Sequence, residues 1–107
     1  MRLGDLRHLL VHEVAVEGRE PDGGVTTTWE AQGVAWGHLE PLSGSKLELA
    51  QRQEPRATHR LTLRYHPTLR ARDRFVFEEG RALHVHSVLV TDEGKDETIA
   101  LVEEVAT

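Results

Sequence analysis

Seven histidines are the most conspicuous candidates for chemistry in this 107-residue chain. His84 and His86 lie two apart in a strand-like stretch, so both point to one face and could bracket a cation. A zinc site needs at least a third protein ligand. The sequence places none, because the nearest carboxylates, Glu78 and Glu79, sit across a turn. Hydroxyl chemistry fares no better. A serine nucleophile needs a base beside it held by a third group, and of Ser43, Ser45 and Ser87 the second is better explained as a helix cap. Glu103 and Glu104 are adjacent on a strand and face opposite ways, which is wrong for paired acid and base work. No G-x-G-x-x-G or phosphate-loop pattern occurs. The chain has no cysteine, so it has no disulfide, thiolate nucleophile or Cys-ligated zinc. The expectation is therefore a non-enzyme with no catalytic residue, metal or cofactor.

Charge is more informative than any of these. Residues 52–81 hold eight arginines (Arg52, Arg56, Arg60, Arg64, Arg70, Arg72, Arg74, Arg81) against four acids (Glu54, Asp73, Glu78, Glu79), a balance of +4. The remainder carries 5 basic and 14 acidic residues, a balance of −9 within the overall −5. Unlike regions on one subunit suit head-to-tail contact between copies, since opposite potentials attract and steer association. A basic face also raises nucleic-acid binding as the rival class. Oligonucleotide-binding barrels add exposed aromatics on which bases stack. Here Trp29, Trp36, Tyr65, Phe75 and Phe77 are the whole aromatic complement, and the last three fall on faces that read as buried. Sequence-specific binding is disfavoured, while loose contact with nearby DNA stays open.

The elements that carry these residues can be read from periodicity. Residues 6–16 form a first strand, and Gly18 to Gly24 is loop chemistry throughout, with Pro21, Asp22 and three glycines. A long second strand runs from Val25 to Glu40, with Gly33 and Gly37 marking a bulge or bend. Ser45-Lys46-Leu47-Glu48 has the capping-box pattern and opens a helix of about two turns, which Pro55 ends at or before Glu54. From Arg56 to Tyr65, Leu61, Leu63 and Tyr65 share one face, while Arg56, Thr58, Arg60, Thr62 and Arg64 form a basic outer ladder. Strands follow at Asp73 to Glu78 with Phe75 and Phe77 inward, at Arg81 to Val90 with Leu83, Val85 and Leu89 inward, and at Glu97 to Val105 with Ile99 and Leu101 on one face. The pattern predicts one mainly β domain over residues 1–107. Its fold class is a six-stranded antiparallel β-barrel or sandwich, with one short helix and a long loop between the first two strands. No apolar run exceeds about four residues, against roughly 20 for a spanning helix, and the first residues lack the apolar block of a secretory signal.

Four stretches taken together resemble one family, the phage head–tail joining (head-closure, or stopper) proteins. Met1-Arg2-Leu3-Gly4-Asp5-Leu6-Arg7-His8 looks like the family's opening. Trp36 to Gly44 looks like its W-x-x-[IL]-x-P-L-S-G block, and Thr58 to Tyr65 resembles its T-H-x-[IVL]-x-[IVL]-R-[YW] strand. Gly80 to Val88 is similar to its G-R-x-[FL]-x-I-x-x-V strand. The blocks fall in the family's order across nearly the whole chain. The resemblance implies a structural virion protein of a tailed phage or a gene transfer agent, assembled in the bacterial cytoplasm. Such subunits form a ring, usually twelvefold, below the portal or adaptor, close the DNA exit and dock the tail proteins. Non-specific contact with packaged DNA is compatible with that place; a membrane is not involved. Alternatives are a tail-completion connector subunit or a small nucleic-acid-binding β-barrel. The expected subunit or partner interface comprises Arg19, Glu20 and Asp22 of the loop and Arg56, Arg60 and Arg64 of the ladder. Pro41, Leu42, Ser43 and Gly44 are expected to be a structural corner that sets the helix against the barrel.

Overall fold

The described chain, residues 8–77 and 80–106 of a computed structural model, contains six strands and one helix. In order they are β1 (His8–Arg19), β2 (Val25–Pro41), α1 (Gly44–Gln53), β3 (His59–Leu63), β4 (Arg74–Phe77), β5 (Arg81–Asp92) and β6 (Glu97–Ala106). All neighbours are antiparallel. The sheet closes in the order β1-β2-β3-β6-β5-β4. Among the described residues, β4 closes on β1 through Val11↔Val76, His12↔Phe75 and Glu13↔Arg74.

Alternation places the core as the sequence pattern requires. Leu61 and Leu63 are fully buried while Arg60 and Arg64 are exposed, and Phe75 and Phe77 point inward beside Leu10, Leu83, Val85, Ala100 and Val102. Each of these leucine, valine and phenylalanine side chains contributes roughly 1.5–3 kcal/mol by leaving water. β6 is covered on both sides. Ala100 and Val102 belong to the barrel core, whereas Leu101 faces out and is covered by Ala50 of α1, with Ala57 and Leu42 alongside. Gly37 is buried and admits no side chain: an added Cβ would lie 2.8 Å from Leu63 Cδ2 and 2.9 Å from Leu10 Cδ1. It marks close packing rather than a bend. The bulge expected in β2 is at Gly33, next to the register shift opposite His12 and Glu13.

Several local readings are corrected. The segment between the first two strands is shorter than its Gly-rich composition suggests. Pairing continues through Glu17↔Thr27 and Gly18↔Thr26 to Arg19↔Val25, because a hairpin ladder satisfies backbone groups that a loop would leave to water. The capping box does not form. Ser43 is the N-cap residue without a side-chain cap bond, and Ser45 lies inside a helix of ten residues. β3 begins at His59 rather than Arg56, since Pro55 has no N–H and the Ala57 N–H closes a turn on the Glu54 carbonyl. It ends at Leu63, and Tyr65, only half-buried, donates its backbone N–H to Asp96 Oδ1. Leu89 is 44% exposed instead of inward: two register shifts, between Val85 and Ser87 and between Val88 and Val90, reset the alternation of β5. The opening block from Met1 to Arg7, and Glu78 and Glu79, lie outside the described residues.

Candidate assembly surface

Beyond the seam, β1 and β2 continue as a two-stranded ribbon. Among the described residues, β1 meets β4 at Val11–Glu13 and β2 meets β3 from Gly37 to Pro41. Among the described residues, Val14 to Arg19 and Val25 to Glu30 therefore pair with each other alone, in a molecule of 49 × 29 × 28 Å. Its root is anchored on the barrel by a stack of unlike groups. Glu13 accepts from Arg74 Nε at 2.6 Å, the Arg74 guanidinium lies 4.2 Å over the Trp29 ring, and Trp29 meets the His84 ring edge-on at 5.9 Å. Its tip is a five-residue turn. Glu20 N–H donates to the Gly24 carbonyl at 2.7 Å, Gly23 N–H to the Glu20 carbonyl at 3.0 Å, and Gly24 N–H to Asp22 Oδ1 at 2.9 Å. Arg19, Glu20 and Asp22 are all exposed there, and Val25 is 64% exposed. On the outer barrel face below the ribbon, the cross-strand pairs Leu9↔Trp36 and Val11↔Val34 form an apolar patch, with Leu9, Val34 and Trp36 each about half or more exposed.

The three outer arginines are not one ladder. Arg56 sits in the α1–β3 connection and pairs with Glu103 of β6 (Nε to Oε1, 3.3 Å), and Arg64 lies 3.8 Å from Asp96. Arg60 alone of the three has no ion pair among the described residues. It stands on the rim of a groove of about 510 Å³ between α1 and the outer faces of β3, β5 and β6. Leu42, Leu49, Ala50, Leu89 and Leu101 form the groove's apolar lining; Glu40, Lys46 and Arg52 join Arg60 around it. Pro41-Leu42-Ser43-Gly44 makes the passage from β2 into α1. Leu42 N–H donates to the Thr58 carbonyl, Leu42 packs under the helix, and Gly44 takes φ +57°, a conformation costly to any residue with a Cβ.

The histidines are distributed differently from their sequence spacing. His84 and His86 do share the outer face of β5, but Glu103 of β6 is the carboxylate that meets them: His86 Nε2 is 2.9 Å from Glu103 Oε1. Glu103 is held below the ordinary carboxylate range by that hydrogen bond, with Arg56 assisting. Burial lowers His84, with the Arg74 charge adding to it. A second group, invisible in the sequence, is buried beside the β1–β4 seam. Buried Asp73 and His12 meet at 2.8 Å (Oδ2 to Nε2), and His12 Nδ1 is 2.9 Å from His66 Nε2. A carboxylate can only accept, so the neutral relay runs one way: His66 Nε2–H donates to His12 Nδ1, and His12 Nε2–H donates to Asp73. Asp73 Oδ2 also accepts the Arg70 backbone N–H at 3.0 Å. His66 is lowered by burial and by His12, partly offset by Asp73. The relay resembles the base and orienting acid of a hydrolase, yet the hydroxyl that meets His66, Thr98 Oγ1, accepts its backbone N–H at 2.8 Å rather than facing its ring. Ser87 Oγ is buried without a hydrogen-bond partner and thus without a base. Among the described residues no group of three or more His, Asp or Glu is placed to hold a metal, and no helix is long and apolar enough to cross a membrane.

Three comparisons with known proteins bear on this geometry. A family model described as phage head completion protein matches residues 1–105. The solution structure of protein SF1141 from Shigella flexneri 2a is similar at a TM-score of 0.76 and 22% identity, covering 99% of this chain and 98% of that one. A chain from the virion of a native gene transfer agent particle is similar at a TM-score of 0.62 and 23% identity, covering 95% and 97%. No curated protein matches in sequence.

Proposed function

Since the chain belongs to the phage head completion protein family, we propose that it is a ring-forming connector subunit, a stopper that closes the DNA exit of a filled head and docks the tail. The match across residues 1–105 carries the reading. The structural likeness to a chain of a gene transfer agent virion supports a place in a phage or phage-like particle. The surface is that of a building block. A rigid barrel carries a projecting ribbon, an apolar outer patch at Leu9, Val34 and Trp36, and unlike charges at separate places. A subunit that offers one surface and receives another makes heterologous contacts, which close into a ring when the rotation permits.

In this reading the ring, twelvefold in keeping with the family, sits below the portal or adaptor and above the tail proteins. Assembly takes place in the bacterial cytoplasm. Arg19, Glu20 and Asp22 at the ribbon tip and Arg60 at the groove supply contacts to neighbours. Arg56 and Arg64 are engaged within the chain and take a lesser part. Pro41 to Gly44 acts as the corner that fixes α1 on β6. The protein works without catalysis.

Deleting the coding sequence from a particle-producing strain tests the proposal by electron microscopy. DNA-filled heads without tails are expected, restored by the intact chain in trans. Complete tailed particles in the deletion strain refute it. Tails of aberrant length or ends, with normal heads, assign the protein to tail completion instead.

A further inference from the structure

We propose that the ribbon tip of one copy docks in the α1 groove of the next copy, a head-to-tail contact that rests on the ring reading and identifies its two surfaces. Three observations converge on it.

The first is charge. Residues 17–25 carry Glu17, Glu20 and Asp22 against Arg19, whereas the groove is bounded by Lys46, Arg52 and Arg60 against Glu40. The groove's cations are available. Lys46 to Glu40 and Arg52 to Glu48 are both 3.7 Å contacts between exposed side chains, which contribute little and exchange readily. Among the described residues Arg60 has no ion pair to give up.

The second is apolar match. The tip presents Pro21 and Val25 to solvent, and the groove floor is leucine and alanine with Leu49 61% and Leu89 44% exposed. A volume of about 510 Å³ suits the end of a tight turn rather than a whole element. A lone two-stranded ribbon is at best marginally stable in water, so a receptor for its tip contributes to the fold as well as to assembly.

The third is distance. The tip stands at Val25, at the start of β2, and Arg60 pairs with Glu40, at its other end. Fifteen residues of paired strand separate them, a contour of roughly 50 Å at about 3.3 Å per residue, in a molecule whose long axis is 49 Å. The tip cannot fold back into its own groove, so the occupant is a second copy.

The chain has no native cysteine, which permits a clean test. Pro21→Cys on the tip and Gln53→Cys in the groove are combined in one purified chain and oxidised mildly at high protein concentration and low salt. A ladder of disulfide-linked multimers on non-reducing gels is expected, while either single variant stops at dimers. Adding Arg60→Glu should lower the ladder yield about tenfold or more, as loss of a close interfacial charge pair does. Glu20→Arg on that background should restore it. Circular dichroism confirms that each variant is folded. Absence of a ladder, a cross-link within a single chain, or a yield indifferent to both charge changes overturns the contact. Any of these would leave the head-filling phenotype of the deletion strain unaffected, so failure of this contact is separable from failure of the connector reading.

Discussion

Asp73→Ala should be among the most damaging single substitutions in the barrel, although Asp73 is neither apolar nor in a strand. The residue is 7% exposed, and its Oδ2 accepts from His12 Nε2 at 2.8 Å and from the Arg70 backbone N–H at 3.0 Å. Truncation leaves His12, itself 2% exposed, with a ring N–H facing no acceptor. A buried donor stripped of its partner costs about 1–3 kcal/mol, and a hydrogen bond to a charged acceptor lies at the upper end. The Arg70 N–H, nearer the surface, regains water and adds less. A total of about 2–4 kcal/mol follows from these ranges, a large share of the roughly 5–15 kcal/mol that holds a domain. The melting temperature should drop by roughly 10–25 °C for a domain near this size. Urea melts of wild type and variant, compared at equal slope, measure the difference. The same reasoning requires that His12→Phe combined with Asp73→Ala be less harmful than the sum of the two singles, because an apolar ring, packed on Phe75 as His12 is at 5.2 Å between centroids, has no N–H to face the truncated position 73. A loss under about 0.5 kcal/mol, typical of a surface site, or strict additivity of the pair, would refute the relay as a structural element.

Acid should weaken the fold in two stages. His59, His66 and His84 are all lowered from 6.5, chiefly by burial, so between the folded and unfolded values the unfolded chain binds more protons and stability falls as pH drops below 6.5. Glu103, lowered from 4.5 by its His86 hydrogen bond, contributes stability above 4.5 that is lost as pH falls through its folded value; denaturant midpoints that rise on acidification would reverse this sign. Arg60→Glu with Arg64→Glu should change folding stability by under about 1 kcal/mol, since only the exposed Arg64–Asp96 pair is lost, yet abolish tailed-particle assembly; unfolding of the double variant, or normal assembly by it, contradicts that assignment. Amides from Val14 to Glu30 should exchange with solvent faster than those of Leu61 and Leu63 in the isolated subunit, because among the described residues the ribbon pairs with no third strand, whereas β3 lies between two; equal protection would show that the ribbon is stable unaided.

The sequence by itself determined the β architecture and the inside of most strands. Alternation in Arg60-Leu61-Thr62-Leu63-Arg64 and in Phe75-Val76-Phe77 has only one solution when one face is buried. Local signals also found Pro55 as the helix stop and offered Gly33 and Gly37 as marking a bulge or bend, of which Gly33 lies at the bulge. What escaped were features made by distant residues. His12, His66 and Asp73 lie 54 and 61 positions apart along their contacts, and only closure of β4 on β1 brings them together. Glu103 reaches His86 and Arg56 because β6 lies between β5 and β3, and acids that composition assigned to a separate region (Glu13, Asp96, Glu103 and Glu104) pair with four of the basic region's arginines, Arg74, Arg64, Arg56 and Arg81. Leu89 left the core through two bulges whose register depends on pairing with β6 rather than on β5's own residues. The Gly18 to Gly24 stretch reads as a loop because turn residues are counted without their partners. Across the ribbon, the cross-strand ladder from Val14↔Glu30 to Arg19↔Val25 satisfies the backbone and leaves five residues to turn. Periodicity reports which face of an element is buried; which element covers it, and which charges it brings, is a property of the closed sheet.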